Sequence, residues 1–458
     1  MAFPDWVAKH KAPRTEIRCI KGKYYIYKIA SKWNKETKKP QKITLGQIGV
    51  ITEADGLIPT GMSRKGKVPQ GESKIKNNIT LKTNFMDRFE KIIDPRAQKN
   101  SLFSVAEIFF LTLAAIICGA EGWKDIETYG KHRLAHLRKY FSYKNGIPSD
   151  DTIRRFFRSL NPIQFKQLFS DWAQDLAEYA SKQCSSKVIA IDGKSSRRSY
   201  DGDNKMMHTV SAFATEARLV LGQEKIAEKS NEITAIPKLL NVIDIKNHIV
   251  TIDAMGCQYK IANDIIEKQG DYIFSLKGNQ SSLHEDIQTY LNDPKQEKYT
   301  EACEDFDKGH GRIETRKCYV CTNVEWLYAM HPQWQTIKSI IKIDSKREIK
   351  EKVTQEARYY ISSLNASPQE ILKAIRSHWE IENSLHWVLD VSFNEDYSRI
   401  RKKNAPETMV IARHIVLNLL RPVAQKNQSI AGLRKICAWD SGVLDMVLKK
   451  DYKSSDLT

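Results

Sequence analysis

The rhythm of apolar and polar positions changes several times along the chain. Residues 17–51, IRCIKGKYYIYKIASKWNKETKKPQKITLGQIGVI, hold two runs rich in Ile, Tyr, Val and Thr around a polar turn at Asn34 to Pro40. With Lys at many outward positions they read as a basic β-hairpin. Residues 55–83 are rich in Gly, Pro, Ser and Lys, show no period and read as a linker. From Phe85 to about Ala180 the spacing turns helical, with breaks at Gly119, Gly122, Gly146, Pro148 and Pro162, which predicts a compact all-helical domain. Its longest apolar run, Leu102 to Ala120, contains Glu107 and is only just long enough to cross a bilayer, so a buried helix is expected rather than a membrane span.

At Lys187 the pattern becomes strand-like. Strands are predicted at 187–192, 207–214 and 217–225, then a helix at 232–243, a strand HIVTID ending at Asp253, a helix from Tyr259 to Gln269 and a strand DYIFSL. Three strands followed by alternating helices and strands point to a mixed α/β sheet. Residues 296–365 are polar and β-rich, like an insertion, and helices from about Pro368 to Asp390 and from Pro406 to Leu420 close the domain. The expected division is therefore a basic β-rich module (1–54), a linker (55–84), a helical domain (85–180), a catalytic core in two parts (181–295 and 366–425) around the insertion (296–365), and a C-terminal tail (426–458).

Charge narrows the class of partner. The formal net charge is +18, and residues 1–100 carry 22 Lys/Arg against 9 Asp/Glu, so the excess is concentrated at the N-terminus. Such a balance favours a polyanion, such as nucleic acid or an anionic membrane surface, over a neutral metabolite. The first residues lack the pattern of a secretory signal, and eight Cys without dense pairing suit a reducing compartment. A cytoplasmic, nucleoid-associated protein is expected.

Within the helical domain, IPSDDTIRRFFRSLNP offers Ser149 as an N-cap, an apolar face of Ile153, Phe156, Phe157 and Leu160, and a basic face of Arg154, Arg155 and Arg158. It reads either as the second element of a helix-turn-helix, following a helix that starts after Trp123, or as a solvated basic face on a packing helix.

The chemistry concentrates on three acids. Asp192 ends the first strand of the sheet and Asp253 the fourth; if those strands are neighbours, the carboxylates lie side by side and repel unless a hard divalent cation, Mg²⁺ or in its place Mn²⁺, sits between them. At 100° per residue, Ile375, Trp379, Glu382, His386 and Leu389 form one stripe of a later helix, which turns Glu382 towards the sheet, whereas Glu380 falls on another face. Asp, Asp and Glu in this order are the arrangement of an RNase H-like nucleotidyl-transfer domain. KCYVC, with Cys318 and Cys321, offers half of a zinc motif and reads more simply as a strand; GKSS at 193–196 lacks the upstream Gly of a phosphate-binding loop.

The motifs CGAEGWKDIE (118–127), NGIPSDDT (145–152), IAIDGK (189–194), IDAMGCQ (252–258), LKGNQ (276–280), GHGRIETR (309–316), HWEIENSLHWVLDVSFNED (378–396) and RIRKKNAP (399–406) occur in one order over about three quarters of the chain. In these stretches the sequence resembles the H-repeat-associated, ISAs-type transposases of bacterial insertion sequences, within the DDE group. The resemblance implies an α/β fold with an RNase H-like mixed sheet and a β-rich insertion, preceded by an all-helical domain and the small basic β-rich module. It implies a triad of Asp192, Asp253 and Glu382 holding two Mg²⁺ ions, double-stranded DNA as the partner with no membrane and no small-molecule substrate, cleavage at transposon ends, and transfer of the freed 3′-hydroxyl into target DNA; synapsis of the two ends in such a mechanism predicts a homodimer. It also marks Lys277, Arg312, His378 and His386 as site residues, while Lys194, Arg197, Arg198, Arg399 and Arg401 are expected to meet DNA phosphates. The Tyr, Arg and Lys that the wider group often places around the Glu are replaced here by Ile375, His378 and Leu389. A host nuclease of the same fold and a DNA-binding relict without catalysis remain the alternatives.

Overall fold

The structure, a computed structural model, describes residues 3–449 apart from 9, 12, 14, 21–22, 35–38, 54–55, 60–87, 89–90, 97–100, 182–186, 201–205, 228–229, 310–311 and 350–351. It divides into two units, Met1–Asn78 and Ile79–Thr458.

In the first unit a helical turn α1 (Asp5–Ala8) precedes strands β1 (Thr15–Ile20), β2 (Lys23–Asn34), β3 (Lys39–Thr52) and β4 (Gly56–Pro59). They pair antiparallel in sequence order, so the expected hairpin is a four-stranded sheet. The first β-rich run is split into β1 and β2, and four residues of the expected linker add an edge strand because Leu57 packs against the core of Val7, Ile17, Ile26 and Ile51. The rest of the expected linker, from 60 to 84, lies outside the described residues.

The second unit opens with helices α2 (Val105–Ile117), α3 (Trp123–Leu137), α4 (Asp150–Ser159) and α5 (Pro162–Ser181). Ser104 and Glu107 form a capping box on α2, and Glu107 to Ile117 are all buried. A helix that is apolar all round belongs inside a fold, and no described helix is long and apolar enough to cross a membrane. Twelve residues, 138–149, separate α3 from α4. That link is too long for the 3–4-residue turn of a helix-turn-helix, so this part of the expectation fails.

The sheet follows: β5 (Val188–Ser196), β6 (Met207–Ala214), β7 (Leu219–Lys225), α6 (Glu232–Leu240), β8 (Ile249–Ile252), α7 (Tyr259–Glu267), β9 (Asp271–Leu276), α8 (Ser281–Asn292), β10 (Thr300–Gly309), β11 (Arg312–Cys321), α9 (Glu325–Met330), β12 (Ser339–Ile349) and β13 (Lys352–Ser362). The nine strands lie in the order β10-β11-β12-β13-β9-β8-β5-β6-β7. β5, β8 and β9 are mutually parallel, joined through helical crossovers, and the other pairs are antiparallel. Residues 296–365 do not form a sheet of their own: β13 pairs with β9, so the β-rich segment lengthens the central sheet. Side-chain alternation sends Ile189 and Ile191 of β5 to one apolar layer with α6 and α7, and Ala190 to the opposite layer with the helical domain.

Helix α10 (Pro368–Glu380) runs through a π-turn (Ile381–His386) into α11 (Trp387–Phe393). It is followed by α12 (Ala405–Leu420), α13 (Ile430–Trp439) and α14 (Ser441–Lys449). Residues 426–458 are therefore not a tail: Ile430, Leu433 and Cys437 of α13 and Leu444 and Val447 of α14 enter the core built by α2 and α12. Residues 450–458 lie outside the described part.

His414 of α12 is 1% exposed, and its Nδ1 has no hydrogen-bond partner. Burial, with the charges of His386, Arg413 and Lys194 acting the same way, pulls its imidazole down to about 3. Between the ordinary histidine value and that value the unfolded chain takes a proton that the folded protein refuses, so stability is intact above about pH 6.5 and falls as pH drops. At pH 4.5 the expected loss from this residue is about 2–3 kcal/mol. Urea unfolding at pH 7.5 and 4.5 should show a smaller difference for His414→Phe than for the parent; equal differences would remove His414 from the account.

Candidate active site

β5 and β8 run parallel with Ile191 opposite Ile252, the last residue of β8, so Asp192 and Asp253 are the next residues on two adjacent strands. Asp192 is not at the end of its strand, as its position after the apolar run suggests. β5 continues to Ser196 against β6, with Asp192 opposite Ser211. Both carboxylates line one cavity at the notch where β5 loses β8 as its neighbour. Backbone groups aim both: Gly193 N–H donates to Asp192 Oδ1 at 2.8 Å, and Met255 and Gly256 N–H donate to Asp253 Oδ1 at 3.1 and 3.3 Å.

Glu382 sits in the π-turn between α10 and α11. The straight stripe does not hold: Ile375, His386 and Leu389 are buried, whereas Trp379, still within α10, is 54% exposed and the Glu382 side chain, on the wider turn, is 56% exposed. His386 Nδ1 lies 3.1 Å from Glu382 Oε2 and 3.7 Å from Asp192 Oδ2. One donor atom from each of Asp192, Glu382 and His386 falls within 4.8 Å of the others. Asp192, Asp253, Lys277, His378, Trp379 and Glu382 line one cavity of about 270 Å³.

Burial pushes Asp192 up to about 6; His386 and the Gly193 N–H oppose this, while the charges of Asp253 and Glu232 add to it. Burial also raises Asp253, again helped by Glu232. Glu382 is lowered, chiefly by its hydrogen bond to His386. Carboxylate oxygens with one imidazole nitrogen form a donor set that suits a divalent cation, and the raised Asp192 marks where burial penalises negative charge that no cation offsets.

Sequence reasoning missed Glu232 and His208. Glu232 lies in the first turn of α6, where an acid reads as an ordinary helix-start residue. Its Oε1 is 3.0 Å from His208 Nε2. Gly193 leaves room for the pair: a Cβ there would meet Glu232 Oε1 at 2.1 Å and His208 Nε2 at 2.7 Å. Gly193→Ala should therefore keep the fold but displace Glu232 and His208. A loss of DNA cleavage of about tenfold is expected, in line with the disturbance of groups behind a metal site. Unchanged cleavage by a folded variant would show that the pair has no bearing on the site.

Other expected site residues fall into three groups. Lys277 is exposed at the cavity and its charge lowers Asp253. Arg197, 80% exposed and 3.2 Å from Asp396, stands beside Arg198, which lies over the Tyr397 ring at 4.7 Å; Arg401 donates to the Arg198 carbonyl at 3.0 Å and Arg399 is exposed nearby in sequence. These remain candidates for DNA contact, as do the exposed Arg155 and half-buried Arg158 of α4; Asp151 pairs with Arg154 and, at 4.0 Å, with Arg155. Arg312 faces Glu314 at 3.8 Å in a neighbouring cleft with Arg316, Arg347 and Arg358.

Three expectations need correction. Lys194 is not a free phosphate ligand, since its Nζ is buried against Asp390 at 2.6 Å. His386, 4% exposed, belongs to the acidic cluster and not to a DNA-facing surface. Burial pulls His378 down to about 4, and its Nδ1 is 3.0 Å from Thr251 Oγ1, so at neutral pH it is a neutral hydrogen-bonding group and not a cation. The Cys318 and Cys321 pair is closed to zinc by strand alternation, which sends the two thiols to different apolar layers of the sheet.

Residues 183–419 match the family described as Transposase DDE domain, and residues 86–173 match its associated domain, DDE_Tnp_1-associated. YncI of Escherichia coli O157:H7, described as a transposase, is 40% identical over 79% of this chain and 94% of its own length. The H repeat-associated YhhI of Escherichia coli K12 is 41% identical over 73% of this chain and 89% of its own. A piggyBac transposase synaptic complex with hairpin DNA aligns with 85% of this chain and 86% of that one at 10% identity and a TM-score of 0.39, a likeness of outline only. Family match and relatives together show a metal-dependent, DNA-cleaving enzyme: the chain belongs to the H repeat-associated transposases of the DDE group.

Proposed function

We propose that the enzyme cuts phosphodiester bonds at the ends of its insertion sequence and joins the freed 3′-hydroxyls to target DNA, with Asp192, Asp253 and Glu382 as the catalytic acids. The observation that carries this is the adjacency of Asp192 and Asp253 on parallel strands, with Glu382 lining the same cavity. The strand order around β5, β8 and β9, followed by the helix that carries Glu382, is consistent with an RNase H-like core.

Two Mg²⁺ ions, with Mn²⁺ as a substitute, would supply activation of the attacking oxygen and charge stabilisation of the departing one. The chain's residues hold the remaining parts. Asp192, fixed by the Gly193 N–H, and Asp253, fixed by two N–H groups of its own turn, present carboxylates that need not reorganise. His386 orients Glu382, and Lys277 stands at the cavity to meet a phosphate oxygen. Arg197, Arg198, Arg399 and Arg401 line the approach of the DNA backbone, with Arg155 and Arg158 of α4 and the basic N-terminal sheet as further contacts to the ends or the target. Two copies pair the two ends, and the reaction takes place on the chromosome in the cytoplasm.

The test is incubation of the purified protein with labelled DNA carrying the repeats that flank its own locus, with Mg²⁺ or EDTA. Metal-dependent cuts at the repeat boundary with joined products support the reading. Cuts without joining would make it a nuclease, and binding without cuts a DNA-binding relict.

A further inference from the structure

We propose that Lys194 is a positioning residue, a clamp that fastens the helical segment carrying Glu382 to the strand carrying Asp192; this rests on the function proposed above. Lys194 follows Asp192 by two positions on β5 and so projects from the same face of the sheet. Its Nζ lies 2.6 Å from Asp390 Oδ1, 2.7 Å from Asp390 Oδ2 and 3.7 Å from Asp396 Oδ1, and its side chain is only 10% exposed. Asp390 belongs to α11, which continues directly from the π-turn that holds Glu382. Asp396 comes just after Asn394, whose φ of 56° ends α11, and its carboxylate also meets Arg197 Nε at 3.2 Å.

Two carboxylates from the Glu-bearing segment therefore converge on one cation from the Asp-bearing strand. A lysine that served DNA phosphates would hold its charge in solvent, uncompensated; this one is enclosed and countered within the protein. Across the same junction His386 Nδ1 spans the gap between Asp192 and Glu382 at 3.7 and 3.1 Å. Loss of the clamp leaves Asp390 without its cation and Asp396 with Arg197 alone, and frees the segment to shift, widening that gap. A displacement of about 1 Å at a reacting centre costs on the order of 100-fold in rate.

The experiment compares the parent with Lys194→Met, Lys194→Arg and Asp390→Asn. It measures DNA affinity, single-turnover cleavage of bound DNA, the Mg²⁺ concentration for half-maximal cleavage, and the melting temperature with and without Mg²⁺. Lys194→Met should slow cleavage of bound DNA about 100-fold and raise the half-maximal Mg²⁺ concentration about tenfold, with DNA affinity within about twofold of the parent. Asp390→Asn should move the same quantities in the same direction. Lys194→Arg should recover most of the loss and, as the variant that keeps the charge, reports on the clamp if Lys194→Met fails to fold. DNA affinity that falls about tenfold while cleavage of bound DNA and its Mg²⁺ dependence hold would overturn the clamp and restore Lys194 as a phosphate ligand. No change in any quantity would overturn it as well. A parent that does not cleave would count against the proposed function; the clamp is then decided by the Mg²⁺-induced rise in melting temperature, which Lys194→Arg should retain and Asp390→Asn should lose.

Discussion

A chain that ends at residue 425 is expected not to fold. It would lack α13 and α14, whose Ile430, Leu433, Cys437, Leu444 and Val447 are 5% exposed or less within the core of α2 and α12. Five buried apolar side chains at about 1.5–3 kcal/mol each amount to roughly 8–15 kcal/mol, as much as the whole stability of an ordinary domain. Polar anchoring goes with them. Arg434 Nη2 donates to the Ile116 carbonyl at 2.7 Å, near the end of α2, where no further turn of helix supplies the usual N–H donor. Arg133 Nη1 donates to Ser441 Oγ at 3.1 Å, and Tyr140 donates to Asp445. Circular dichroism and thermal unfolding of residues 1–425 decide the matter. A cooperative transition within a few degrees of the full chain's would show that the two helices are an addition to a core already complete.

Those helices were hidden because they are short. Their apolar positions, 430, 433 and 437, then 444 and 447, do have helical spacing, but the runs of 10 and 9 residues are separated by Asp440 and carry Arg434 and Lys435 among the apolar residues. A short amphipathic helix has little stability of its own and is made by the surface it covers, which cannot be read locally. The strands β5 to β9 were legible for the opposite reason, since buried strands write an apolar run directly into the sequence. Because β5 and β8 are parallel neighbours, the two residues that follow Ile191 and Ile252 were legible as a pair. The outward turn of Glu382 was not, since a π-turn leaves no mark in a count at 100° per residue. The burial of Lys194 was not legible either, since its partner Asp390 stands 196 residues away in the sequence. Glu232 escaped similarly, as only the folded chain brings it over Gly193.

Asp192→Asn should abolish cleavage and, in the absence of divalent metal, leave a protein more stable than its parent. The first effect follows from removing a carboxylate on which the proposed metal ions depend, and a loss on the order of 10⁴-fold is expected for one member of a catalytic unit. The second follows from what burial does to that carboxyl. Asp192 is raised to about 6, so between the ordinary aspartate value and about pH 6 the folded protein holds a proton that the unfolded chain has released. Each unit of pH in that window costs the folded state about 1.4 kcal/mol, the cost is complete above pH 6, and at pH 7 it amounts to roughly 2–3 kcal/mol. Asparagine carries no charge to bury beside Asp253 and Glu232 and avoids it. Below about pH 4 parent and variant should converge, because the parent's carboxyl is then protonated in both states. Mg²⁺ should reverse the order at pH 7: it binds the folded parent and raises its melting temperature, and it does so far less for the variant. Melting curves of both proteins at pH 4 and 7, with EDTA and with Mg²⁺, test this alongside DNA affinity, which should be unchanged. A metal-free variant less stable than the parent at pH 7 would mean that Asp192 contributes to the fold through its bond to Gly193 and is not held there at a cost to stability for the sake of the metal.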